Sequence, residues 1–137
     1  MGKVLRDLWI LLENGMVIYN HTFETSMDPQ LFGGFMSAIQ TVAMQLGGDG
    51  LSTLELASRT FYFAKSGQLL FIATVDRNIK PKRAQEELRS IVHQFFALYS
   101  DDRITNWRGN LSEFDVFKHQ IEQSFEDPVT KMKDTLW

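Results

Sequence analysis

The sequence predicts an α/β fold in three layers: a five-stranded antiparallel sheet, order 2-1-5-4-3, with the first helix on one face and the second and third on the other. Three observations predict it. The elements run strand, strand, helix, three strands, two helices, with Asn14-Gly15 and Ser66-Gly67 as tight turns. Two strands are apolar on both faces and so belong at the centre of a sheet covered on both sides. Two others alternate or turn polar, as edge strands do.

Strand 1 covers residues 8–12, Leu-Trp-Ile-Leu-Leu. A type I′ turn at Asn14-Gly15, with positive φ at both residues, joins it to strand 2 over 16–23. Strand 2 grows polar through Asn20, His21 and Thr22. Asp28-Pro29 starts the first helix, Asp28 capping free amides and Pro29 fitting the first helical position. Leu31, Phe32, Phe35, Met36, Ile39, Ala43 and Leu46 recur at helical spacing as its apolar stripe. Gly47-Gly48-Asp49-Gly50 stops it.

Strand 3, residues 51–57, sets Leu54 and Leu56 against Thr53 and Glu55. Strands 4 (59–65) and 5 (68–75) meet at Ser66-Gly67, and strand 5 is apolar on both faces. The second helix runs over 81–99 with Ala84, Leu88, Ile91, Val92, Phe95 and Tyr99 inward. The third follows Asn110, spaced from Glu113 as in a capping box. Leu111, Phe114, Phe117, Ile121 and Phe125 mark its buried face, and Asp127-Pro128 ends it.

Strands 1 and 5 in the centre, 2 and 3 at the edges, and two hairpins together give 2-1-5-4-3. The link from strand 2 to strand 3 then crosses the whole sheet, roughly 19 Å for four strand spacings. A helix of about eighteen residues reaches ~27 Å and is long enough. One domain over 1–126 and a tail over 127–137 account for the chain, which shows no repeat or linker.

Composition narrows the function. The net charge of −3 offers no electrostatic footprint for nucleic acid. No apolar run approaches the ~18 residues of a membrane span, and the N-terminus lacks a signal-peptide core, so a cytoplasmic location is expected. With no Cys there is no thiol nucleophile or thiolate metal site. His21, His93 and His119 lie on three elements without metal-ligand spacing. Ser52, Ser58 and Ser66 stand at strand ends outside any nucleophile elbow. Gly47-Gly48-Asp49-Gly50 follows a helix, whose C-terminus repels phosphate, and lacks the Lys-Ser/Thr of a P-loop. The neighbours Glu86-Glu87 and Asp101-Asp102 face different directions and make no acid/base dyad. Neither an enzyme nor a cofactor is expected.

The text itself carries a resemblance. Asp7-Leu8-Trp9-Ile10 before a hairpin, the run Asp28-Pro29-Gln30-Leu31-Phe32-Gly33-Gly34-Phe35-Met36-Ser37-Ala38-Ile39, and Phe71-Ile72-Ala73-Thr74-Val75-Asp76 together look longin-like. The chain resembles the longin domain, of the profilin-like group that also contains roadblock domains. Only residues 1–6 precede the hairpin, where the roadblock arrangement has a helix, so the longin order fits better. The resemblance implies a non-enzymatic interaction module of vesicle-trafficking type. Its partner would be a small GTPase, a second copy in a homodimer, or another longin or roadblock subunit. Without a coiled coil or membrane anchor downstream, it implies an adaptor-like scaffold that meets membranes only through a partner.

Two groups of residues are candidates for contact. Gly33-Gly34 costs ~1 kcal/mol per glycine inside a helix, which close approach of another backbone would offset. That backbone belongs either to the protein's own sheet or to a partner along the first helix and edge strand 3, a surface longins and roadblocks use. The partner reading names Gly33, Gly34, Ser37, Thr41, Thr53 and Glu55. Arg77, Lys80, Lys82 and Arg83 crowd the start of the second helix, either as a solvated face or as a patch for an anion or an acidic partner. The tail over 131–137 is either a docking peptide or a locally packed chain end. The rival function is a small-ligand sensor of profilin- or PAS-like architecture, which needs an apolar cavity with convergent polar groups; an exposed apolar strip favours the interaction module.

Overall fold

The computed structural model describes residues 4–22, 28–48, 50–56, 59–76 and 78–121. Strands β1 (Leu5–Leu12), β2 (Val17–His21), β3 (Thr53–Glu55), β4 (Thr60–Ser66) and β5 (Leu69–Val75) form one antiparallel sheet, β2-β1-β5-β4-β3, as the sequence predicts. Helix α1 (Pro29–Gly47) covers one face. Helices α2 (Pro81–Leu98), α3 (Asp101–Thr105) and α4 (Asp115–Ile121), the last entered through a 3-10 turn at Leu111–Phe114, cover the other.

Strand alternation builds a core on each face. On the α1 side Trp9, Leu11, Leu70, Ile72, Phe61 and Phe63 meet Phe32 and Met36, with the Trp9 and Phe32 rings stacked at 4.1 Å. On the α2 side Leu8, Ile10, Phe71 and Ala73 meet Leu88, Ile91, Phe95, Phe114 and Phe117. Phe95 is central there, with its ring 5.6 Å from Phe71 and 5.1 Å from Phe117. Asp28 caps α1 by accepting from the Gln30 N–H at 2.9 Å. The 19 residues of α1 reach about 28 Å, enough to cross the sheet from β2 to β3.

Several details depart from the sequence expectation. The first hairpin is not a type I′ turn: Asn14 has no positive φ, and only Gly15 does, at 88°. The Gly15 N–H donates to Leu12 O and the Leu12 N–H to Met16 O, each at 2.9 Å. That is the three-residue loop, a type I turn closed by a left-handed glycine. The register then slips where Ile10 faces Tyr19 but Leu11 faces Val17, leaving Ile18 as an extra residue. The bulge lets Ile18 and Tyr19, neighbours in sequence, both enter the α2-side core while Val17 enters the other. At the second hairpin Gly67, φ 59°, takes the first central position, the pattern of a type II′ turn.

Helix α3 is an element that the apolar periodicity does not predict; Ser100 caps it and Ile104 anchors it. Asn110 accepts from the Ser112 N–H rather than forming a reciprocal box with Glu113, and Leu111 is exposed instead of buried. The expected strand ends at Phe23 and Ala57, Phe125, the Asp127-Pro128 stop and the 127–137 tail lie outside the described residues.

Candidate interaction surface

The apolar pattern of α1 is wider than the sheet can cover. Phe32, Gly33, Met36 and Gln40 are buried, and Ile39 and Ala43 are half-buried. Leu31, Phe35, Val42 and Leu46 stand out in solvent at 70%, 59%, 56% and 85% exposure. At 100° per residue these four, with Ala38, share a face rotated roughly 120° from the buried one. The expected single stripe is therefore two, one for the protein's own core and one facing outward. No charged residue occurs anywhere in α1. Surface helices normally carry charges on the face turned from the core.

The outward stripe continues onto the sheet edge. Phe35, Ala38, Ile39, Val42 and Ala43 of α1 line a shallow groove with Leu51 and Leu54 beside and on β3, about 420 Å³ in volume. Among the described residues strand β3 pairs only with β4. The Ser52 carbonyl accepts from Phe63 N–H, and Leu56 exchanges bonds with Arg59, so even-numbered residues point their amides at β4. Thr53 and Glu55 therefore aim their N–H and C=O groups outward, and no group among the described residues meets them. Leu51, next in that outward row, is already tied: its N–H donates to Gln40 Oε1 at 2.6 Å.

The sequence-picked residues scatter relative to this surface. Thr53 and Glu55 lie on the open edge, both exposed. Gly34, Ser37 and Thr41 lie on the opposite flank of α1, toward the first hairpin; the Ser37 hydroxyl donates to Glu13 O at 2.9 Å and that of Thr41 to Ser37 O. Gly33 turns inward. A Cβ there would sit 2.4 Å from Gly15 O and 2.6 Å from a Val17 methyl, so the close-approaching backbone is the chain's own hairpin. Gly34 has open space around it. Sequence reasoning missed Val42 and Ala38 and gave Leu31, Phe35 and Leu46 to the core-facing stripe, and the signal that could have found them was the absence of any charge in α1; Leu51, outside the helix, carried no such signal.

Of the basic group, Lys80 is the α2 N-cap without a side-chain capping bond, Lys82 is exposed, Arg83 is half-buried and has a partner, and Arg77 lies outside the described residues. Among the described residues no cluster of three His, Asp or Glu side chains has metal-binding geometry. A second concavity, about 450 Å³, opens between α1 and the hairpin ends, lined by Glu13, Ser37, Thr41, Met44, Lys65 and Leu70 among others. No helix among the described residues is long and apolar enough to cross a membrane.

A crossover helix over a 2-1-5-4-3 sheet, with helices on the reverse, defines the longin/roadblock type of fold. Solved structures bear this out. The chain is similar to Myxococcus xanthus MglB at TM-score 0.51 and 13% identity, over 68% of this chain and 85% of that one. A structure of MglB with tetrameric arrangement gives TM-score 0.51 and 12% identity over 63% and 71%. The roadblock/LC7 domain from Streptomyces avermitilis gives 0.50 and 12% over 68% and 87%. No protein-family model matches the sequence, and no curated protein matches it.

Proposed function

We propose that this chain is a non-enzymatic interaction module of longin/roadblock type, which pairs with a second copy of itself or a like-folded subunit through α1 and β3. In that paired form it binds or regulates a small GTPase in trafficking-like machinery. One observation carries the pairing: an uncharged helix with an outward apolar stripe lies against an open strand edge, both facing the same space. Strand addition at β3 supplies main-chain bonds and the stripe supplies apolar burial. The groove lining carries no charge, so across a two-fold axis it tolerates its own copy without like charges meeting there. The likeness to an MglB with tetrameric arrangement supports self-association as the mode. The GTPase rests on the family resemblance alone.

Sedimentation equilibrium tests the pairing: the native chain should run as two copies, and Val42→Glu as one copy with an unchanged circular dichroism spectrum. A native chain that stays monomeric at high concentration overturns self-pairing. Capture of small GTPases loaded with GDP or a GTP analogue tests the second part, and no capture in either state overturns it.

A further inference from the structure

The two edges of the sheet are treated differently, and Gln30 together with the bulge at Ile18 makes the difference. Met16 gives its carbonyl to Leu12 N–H, so the next residue, Val17, points its own amide groups away from β1, into the open edge. They do not stay open. Gln30, in the first turn of α1, accepts from Val17 N–H through Oε1 at 3.0 Å and donates from Nε2 to Val17 O at 3.1 Å. A side-chain amide thus makes the two bonds that a neighbouring strand's residue would make. The helix start is held for this: Gln30 N–H is fixed on Asp28, and Gly33 lets α1 descend onto Gly15 and Val17. The extra residue at Ile18 further breaks the regular edge beyond it. At β3 the matching amide, Gln40, binds Leu51 and leaves Thr53 and Glu55 without a partner among the described residues.

We propose that Gln30 is a plug that closes the β2 edge at Val17, with the bulge at Ile18 putting the next outward residue, Asn20, out of step, so that a second copy of this chain adds only at β3 and assembly stops at a finite size. The inference rests on the reading of β3 as the pairing edge. An antiparallel sheet with two open edges would join β3 to β3 and β2 to β2 in turn, without closing.

The test is Gln30→Ala, read by amide hydrogen exchange and sedimentation equilibrium on the full chain. Exchange at Val17 should speed up roughly fivefold to tenfold, the scale of one lost hydrogen bond. The average mass should rise with concentration beyond the two copies of the native chain. Adding Thr53→Pro, which removes an outward N–H without touching the bonds to β4, should cut the growing assembly back to two copies. Gln30→Glu keeps one of the two bonds and puts a charge on the edge, so it should stay at two copies. Equal exchange at Val17 in native chain and Gln30→Ala, or a Gln30→Ala chain that stops at two copies, overturns the plug. A native chain found monomeric overturns the β3 reading instead, and the exchange rate at Val17 still decides whether Gln30 closes its edge.

Discussion

At Gly33 a methyl group has no room, and at its neighbour Gly34 it has nothing but room. The same dipeptide therefore holds two opposite predictions. Gly33→Ala must push the hairpin off α1 and should cost about 1–3 kcal/mol in urea unfolding, the usual scale of overpacking. Gly34→Ala should gain about 0.5–1 kcal/mol, because alanine loses less backbone entropy in a helix. Sequence reasoning saw that the pair needed a reason; it could not see that only one of them has it within the chain. Tyr99 gives a prediction in pH. It is buried, its hydroxyl donates to Glu113 O at 2.7 Å, and burial chiefly raises its pKa above the ordinary 10.0. An acid raised in the folded state contributes stability that is complete below pH 10 and lost as pH climbs through the folded value. Stability should therefore fall above pH 10, and Tyr99→Phe should flatten that fall while costing about 1 kcal/mol at neutral pH for the unpaired carbonyl.

At the scale of elements, α1 serves two surfaces at once. Its inner face rests on Phe32, wedged between Trp9 and Phe61 at 4.1 and 5.8 Å. Phe32→Ala should cost about 3–5 kcal/mol by thermal or urea unfolding, as deletion of a packed ring does. Its outer face should give the opposite result: Val42→Glu should leave stability within about 0.5 kcal/mol when measured on the dissociated chain, since the side chain is already in solvent. Helix and strand positions were legible from period and turn residues, and so were the two edges. The division of α1 into two stripes was not. A run of apolar residues over 120° or more looks like one broad face until the width of the sheet beneath it is known. The hairpin's loop length is hidden from the sequence for a similar reason: Asn-Gly permits both a two-residue and a three-residue loop, and the bulge at Ile18, set by which core each side chain fills, selects the second.

For the whole molecule, β1 and β5 join the two cores, since each sends alternate side chains into both. Neither layer can be lost without exposing the back of the other. The protein should therefore unfold in one transition. Trp9 reports the α1 side and Trp107 packs against the α2 side, so variants whose sole tryptophan is one of these two, with Trp137 also replaced, should show coincident fluorescence midpoints. Separate midpoints would mean that α1 or the α2 layer detaches alone. What the sequence by itself determined was the order of elements, the sheet order and the absence of charge in α1, because hydrophobic period, turn chemistry and composition are local and survive without coordinates. Which apolar side chains face water, which strand edge stays open and which is closed by Gln30 were decided only by the tertiary structure. Those properties depend on residues 13 or more positions apart meeting in space, as Gln30 and Val17 do, and no local pattern encodes that meeting.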